Sequence, residues 1–254
     1  MSAEPRLCEL LLISLLASGC ALLPDGGRDT MSNAEKAKLN LQMGARYLDM
    51  GMLETAKEKL ETAVSLDSSN ADTHNTLAVF YERIKNNEAA NDSYQAALSR
   101  DADSFSIKSN YGRFLCEQGQ FDKGISLLQQ SMESPMNNRP WFALTNLGTC
   151  YNRQNDSQRA EQYFRQALQT QPNYAPALQE MQRISYQNRQ FMSARAFLER
   201  YLSVAKHTPE SLWIAFQTER ALGNGKMADE YRELLLSSFP ASKEAQQVKT
   251  AISK

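Results

Sequence analysis

Four cysteines and two histidines are the side chains of this 254-residue chain best suited to covalent or metal chemistry, and their spacing excludes most of it. His74 and His207 are the only two histidines and are poorly placed for a metal pair or a general base, and the chain carries no HExxH, CxxC, GxSxG or glycine-rich phosphate loop. His74 falls within a helical pattern, where half-buried packing is expected, and His207 precedes Thr208-Pro209 in a loop. Carboxylates are plentiful but interleave with lysines, as in Glu54, Lys57, Glu58, Lys59 and Glu61, which is the pattern of a solvated helix face with i,i+4 pairs. The expectation is a protein with no enzymatic activity, metal or cofactor.

Cys20 is the cysteine with a chemical context. Leu10–Ala17 is uncharged, follows Arg6, and is too short to span a bilayer, for which a helix needs about 20 residues. It suits the apolar region of a signal peptide. Ala17, Ser18 and Gly19 immediately before Cys20 resemble the lipobox of bacterial lipoproteins. That resemblance implies cleavage before Cys20 and acylation of its thiol and amine, with several acyl chains giving the stable anchoring that one cannot. Residues 1–19 are then a lipoprotein signal peptide and 20–32 a lipidated tether, which Pro24, Gly26 and Gly27 keep irregular. Loss of residues 1–19 removes Glu4, Arg6 and Glu9 and leaves 27 basic and 27 acidic residues without a basic run, which excludes nucleic acid as a partner. Cys8 leaves with the signal. Cys116 and Cys150 lie inside helical patterns, where small buried thiols are the expectation; a disulfide would need their Cα atoms within about 7 Å.

The elements that carry these residues are read from a repeat. With 11 Gly and 8 Pro, turns are too few for a many-stranded sheet protein. At a period of 34, counting from Ala37, Ala71, Phe105, Trp141, Ala175 and Pro209, the eighth position reads Gly44, Ala78, Gly112, Gly148, Gln182 and Phe216. The twentieth reads Ala56, Ala90, Gly124, Ala160, Ala194 and Ala228, and bulky residues such as Leu60, Tyr94, Leu128 and Phe164 recur at the twenty-fourth. Small residues at two fixed positions let paired helices approach closely, and bulky ones fill the remaining groove. The pattern resembles the tetratricopeptide (TPR) repeat, one hairpin of two helices per period. It predicts an all-α, right-handed superhelical solenoid of six repeats, over approximately 37–70, 71–104, 105–138, 141–174, 175–208 and 209–242, with a C-terminal capping helix over 243–254. Ser32 and Glu35 form a capping-box pattern at the start of the folded region over 33–254, and the 36-residue step between repeats three and four places an insertion in SMESPMNNRPW. Gln182 and Phe216 predict looser packing or a shifted frame in repeats five and six.

Such a solenoid offers a surface. The TPR resemblance implies that positions 2, 5, 9 and 12 of each first helix line the concave side. In the first two repeats these include Leu41, Ala45, Leu48 and Val79, apolar where a solvated face would carry charge, and they are the expected partner-binding residues. The segments GARYLDMGMLETAKEKLETAVSLD, NYGRFLCEQGQF and AFLERYLSVAKHTPESLWIAFQTERALGN, with the lipobox and six repeats, resemble the type IV pilus biogenesis and stability lipoproteins of the PilF/PilW family. That resemblance implies a pilotin, lipid-anchored at the periplasmic face of the outer membrane, that binds secretin subunits and promotes their localisation and multimerisation. The alternative is a periplasmic TPR scaffold for barrel insertion or cell-wall synthesis.

Overall fold

In a computed structural model, residues 31–252 are described, and among them every regular element is a helix. Six hairpins follow one another: α1 (Asn33–Asp49) with α2 (Leu53–Leu66), α3 (Ala71–Arg83) with α4 (Asn87–Arg100), and α5 (Phe105–Glu117) with α6 (Phe121–Glu133). Then come α7 (Pro140–Arg153) with α8 (Ser157–Thr170), α9 (Ala175–Gln187) with α10 (Phe191–Leu202), and α11 (Pro209–Ala221) with α12 (Gly225–Ser238). A last helix, α13 (Lys243–Ile252), packs on α11 and α12 and buries Ala245 and Val248. The signal peptide, Cys20 and most of the tether lie outside the described residues.

Local chemistry starts and stops these helices on a fixed schedule. The capping box at α1 is formed, with the Glu35 amide donating to Ser32 Oγ at 3.2 Å and the Ser32 amide donating to Glu35 Oε2 at 2.8 Å. Within every hairpin the chain turns through a residue of positive φ at position 15: Gly51, Lys85, Gly119, Asn155, Arg189 and Gly223. The amide of the next residue reaches back to the carbonyl of position 11, as in Met52 to Tyr47 at 2.9 Å and Gln190 to Ser185 at 2.8 Å, satisfying a carbonyl orphaned by the helix end. These turns recur every 34 residues except between Gly119 and Asn155, where the insertion makes the step 36.

The hairpins close where side chains are smallest. A Cβ on Gly148 would lie 2.7 Å from the Phe164 ring, and one on Gly44 would lie 2.7 Å from Leu60. In repeat three both contact positions are glycine, and each backbone carbonyl sits where the other residue's Cβ would be. Gln182 and Phe216 are buried at this position, 1% and 7% exposed. The frame is therefore not shifted: positions 3, 4, 7 and 8 face inward in repeats five and six as in repeat four, and the Gln182 amide donates to the Ser211 carbonyl at 3.2 Å.

Two sequence expectations are corrected at the joints between successive first helices. Cys116 and Cys150 are not separate thiols but a disulfide, with Cα atoms 5.4 Å apart, tying α5 to α7. Leu48 is only 3% exposed and packs in a core with Ala56, Leu60, Leu77 and Phe80, so it does not present its side chain in the groove. Both outcomes have one cause. At the first four joints position 12 points along the stack toward positions 9 and 10 of the next first helix, and each of these joints uses it differently. Leu48 shares an apolar cluster with Val79 and Phe80, Glu82 pairs with Arg113, Cys116 is bonded to Cys150, and Asn152 meets Arg183.

Candidate binding surface

With Leu48 turned inward, the apolar end of the groove consists of Leu41, Ala45 and Val79, all half-buried. Leu41 leans on the core of the first two repeats, and Val79 touches that core and the next one. Farther along, the lining is polar and largely internally paired. Arg113 forks onto both Glu82 oxygens at 2.8 and 2.9 Å and reaches Glu117 at 2.7 Å, while the Tyr94 hydroxyl donates to Glu82. Burial and the Glu82 charge push the Tyr94 phenol well above its ordinary range. Burial opposes the charge on Arg113, but its hydrogen bonds to Glu82 and the fields of Glu82 and Glu117 outweigh that cost and hold the guanidinium above its ordinary value. Two repeats on, Arg183 pairs with Glu180 and approaches Glu210 at 3.9 Å, and with the Asn152 amide turned so that its oxygen faces the guanidinium, Arg183 donates to it at 2.7 and 3.1 Å. Arg113 and Arg183 are thus neutralised by carboxylates of the protein itself.

A third set was not anticipated from the sequence. Asn110 and Asn146 occupy position 6 in repeats three and four, and each donates Nδ2 to position 5 of the preceding repeat: Asn75 Oδ1 at 3.2 Å and Ser109 Oγ at 3.2 Å. The available signal was one residue type at one position in adjacent repeats.

The two histidines are each held by a neighbour. His74 Nε2 lies 3.0 Å from the Ser68 carbonyl and His207 is set edge-on to Tyr231, so each histidine has a packing role. Burial holds His207 below its usual value. Among the described residues no three His, Cys, Asp or Glu side chains converge as metal ligands, and no helix is long and apolar enough to cross a membrane. Stacked helix hairpins, with first helices lining a groove of apolar, amide and self-paired ionic groups, define a tetratricopeptide-repeat scaffold for holding another polypeptide.

Comparison with known proteins narrows this class. Residues 41–107 and 103–173 match the tetratricopeptide repeat family. The type IV pilus assembly protein PilF of Pseudomonas aeruginosa is 26% identical over 254 aligned residues, covering 97% of this chain and 98% of that protein. A solved structure of Pseudomonas aeruginosa PilF superposes with a TM-score of 0.74 at 25% identity, covering 86% of this chain and 99% of that one. PilW, described as a widely conserved type IV pilus biogenesis factor, superposes with a TM-score of 0.74 at 29% identity over 84% of this chain and 97% of its own. The repeat matches together span residues 41–173, so the chain belongs to the tetratricopeptide-repeat family, and it is similar to the type IV pilus proteins PilF and PilW over most of its length.

Proposed function

We propose that this protein takes part in type IV pilus biogenesis as a pilotin: anchored through lipid on Cys20 at the periplasmic face of the outer membrane, it binds secretin subunits and promotes their localisation and multimerisation. The observation that carries the reading is similarity to PilF along 97% of the chain, end to end rather than over the generic repeats alone. The half-buried apolar side chains Leu41, Ala45 and Val79 lie in the repeats nearest in sequence to the anchor, where a bound subunit would be kept close to the membrane.

The test is Leu41→Lys combined with Val79→Glu, with secretin multimers measured in outer-membrane fractions and circular dichroism as the fold control. Full burial of such a side chain is worth about 1.5–3 kcal/mol and these two are already half-buried, so the pair should contribute about 1.5–3 kcal/mol together and its loss should lower multimer yield about tenfold in a correctly folded protein. Normal multimers with a folded variant would refute this surface. Cys20→Ala should release the protein from the outer membrane; its retention there would refute the anchor. Intact secretin with damaged barrel insertion or cell wall would favour the other envelope scaffold role.

A further inference from the structure

The two-residue insertion between repeats three and four does more than lengthen a loop. Its loop borders a cleft of about 240 Å³ that lies against the starts of α5 and α7. That is smaller than cavities for drug-sized molecules, about 300–1,000 Å³, and has room for one side chain of a longer ligand. Phe105 and Phe142 supply its apolar walls, Asn110 and Asn146 lie side by side along it, and Arg139 stands at the loop.

The site is built rather than incidental. Ser131 Oγ donates to the Phe105 carbonyl at 2.7 Å, Asn137 Nδ2 donates to the Ser131 carbonyl at 2.8 Å, and the Arg139 amide donates to Asn137 Oδ1 at 2.9 Å, so the loop wall is tied to α6 and α5. Phe142 is 41% exposed, yet it is braced edge-on by Tyr174 and covered by the Arg139 guanidinium, 5.4 Å from its ring. Arg139 makes no ion pair with the described residues, and no carboxylate lines the cleft, in contrast to the self-neutralised Arg113 and Arg183. Asn110 and Asn146 spend Nδ2 on their neighbours, which fixes each amide, and neither Oδ1 makes a hydrogen bond with the described residues.

Two fixed carbonyl acceptors one repeat apart match amide donors along an extended main chain. An exposed aromatic beside them matches an apolar side chain, and an unpaired guanidinium matches a carboxylate. We propose that this cleft is a second binding site, for an extended peptide segment carrying an aromatic or large aliphatic side chain within two residues of an Asp or Glu. It is separate from the Leu41 end of the groove and does not depend on the identity of the partner bound there.

The experiment probes an array of random octapeptides with the purified full chain and then measures selected peptides by fluorescence anisotropy. Retained peptides should share the apolar–acidic pair. Phe142→Ala should weaken binding about tenfold, and Asn110→Ala with Asn146→Ala by a similar factor. Arg139→Glu, on an exposed loop, should switch the preference from acidic to basic residues, which a merely structural role for Arg139 would not do. Leu41→Lys should leave binding unchanged. The proposal is overturned if no peptide exceeds background, if retained peptides lack the pair, if Arg139→Glu leaves the preference unaltered, or if Leu41→Lys abolishes binding. Circular dichroism accompanies each variant, and should the double asparagine variant not fold, the charge-reversal arm still decides.

Discussion

Replacing Gly124 by alanine isolates the geometry that makes these hairpins possible. In an exposed helix the change would stabilise by about 0.5–1 kcal/mol, because alanine loses less conformational freedom on folding. Here the new Cβ would sit 2.5 Å from Cys116 Sγ, 2.7 Å from the Gly112 carbonyl oxygen and 3.0 Å from the Cys116 amide nitrogen. None of these is the free end of a flexible side chain: two are backbone atoms and the third belongs to the disulfide. Relief requires α6 to withdraw from α5, and overpacking of this kind costs about 1–3 kcal/mol. The net expectation is destabilisation by about 1–2 kcal/mol, a fall in melting temperature of about 2–8 °C for a chain of this size. Gly225→Ala is the control, since its Cβ would meet nothing within 4 Å. Thermal and urea melts followed by circular dichroism measure both. If Gly124→Ala melts no earlier than Gly225→Ala, glycine at position 20 does not set the helix separation and the close-approach reasoning is wrong.

Arg195 forks onto Glu219, which is 2% exposed, with Nε to Oε1 at 2.7 Å, so Arg195→Ala strands a buried carboxylate and should cost about 3 kcal/mol in urea denaturation. Lys57→Ala, which breaks an exposed pair with Glu61, should cost under about 1 kcal/mol in the same assay. Arg189 occupies a left-handed conformation at φ 60°, and Arg189→Gly should raise stability by about 1 kcal/mol, whereas Gly223→Ala should lower it similarly; melting curves of the two should move in opposite directions. Burial lowers the His207 pKa from 6.5, so the unfolded chain binds its proton first and stability falls as pH drops below 6.5; His207→Gln should flatten melting temperature against pH in that window.

The fold was legible because it rests on repetition. Gly44, Gly112 and Gly148 at one register and Ala56, Ala90 and Ala160 at another state directly where helices touch. The position-15 turn is harder to read where Lys85 and Arg189 hold it, since neither residue type favours positive φ as Gly and Asn155 do. The joints were least legible. Leu48 and Cys116 share register 12, and an assignment of that register to the groove ignores that side chains there reach along the stack. Whether such a side chain is swallowed or stays half-exposed depends on its chemistry: Leu48 and Cys116 are buried, while Glu82 and Asn152 keep partial access to water. The disulfide follows from the same geometry once it is known, because Cys116 holds register 12 of its repeat and Cys150 register 10 of the next, the pair of registers that also meets at Leu48 and Phe80.

That bridge has a mechanical meaning. An array in which each hairpin leans only on its neighbours yields to tension one unit at a time from whichever end is pulled. A chain held at its amino end and loaded through a bound partner would shed outer repeats first, but the 34-residue span between Cys116 and Cys150 stays outside the load path until the bond is reduced. At roughly 3.3–3.6 Å per extended residue, about 110–120 Å of contour is withheld. In a single-molecule pulling record that length would be missing from the unravelled chain and would reappear when reductant is added.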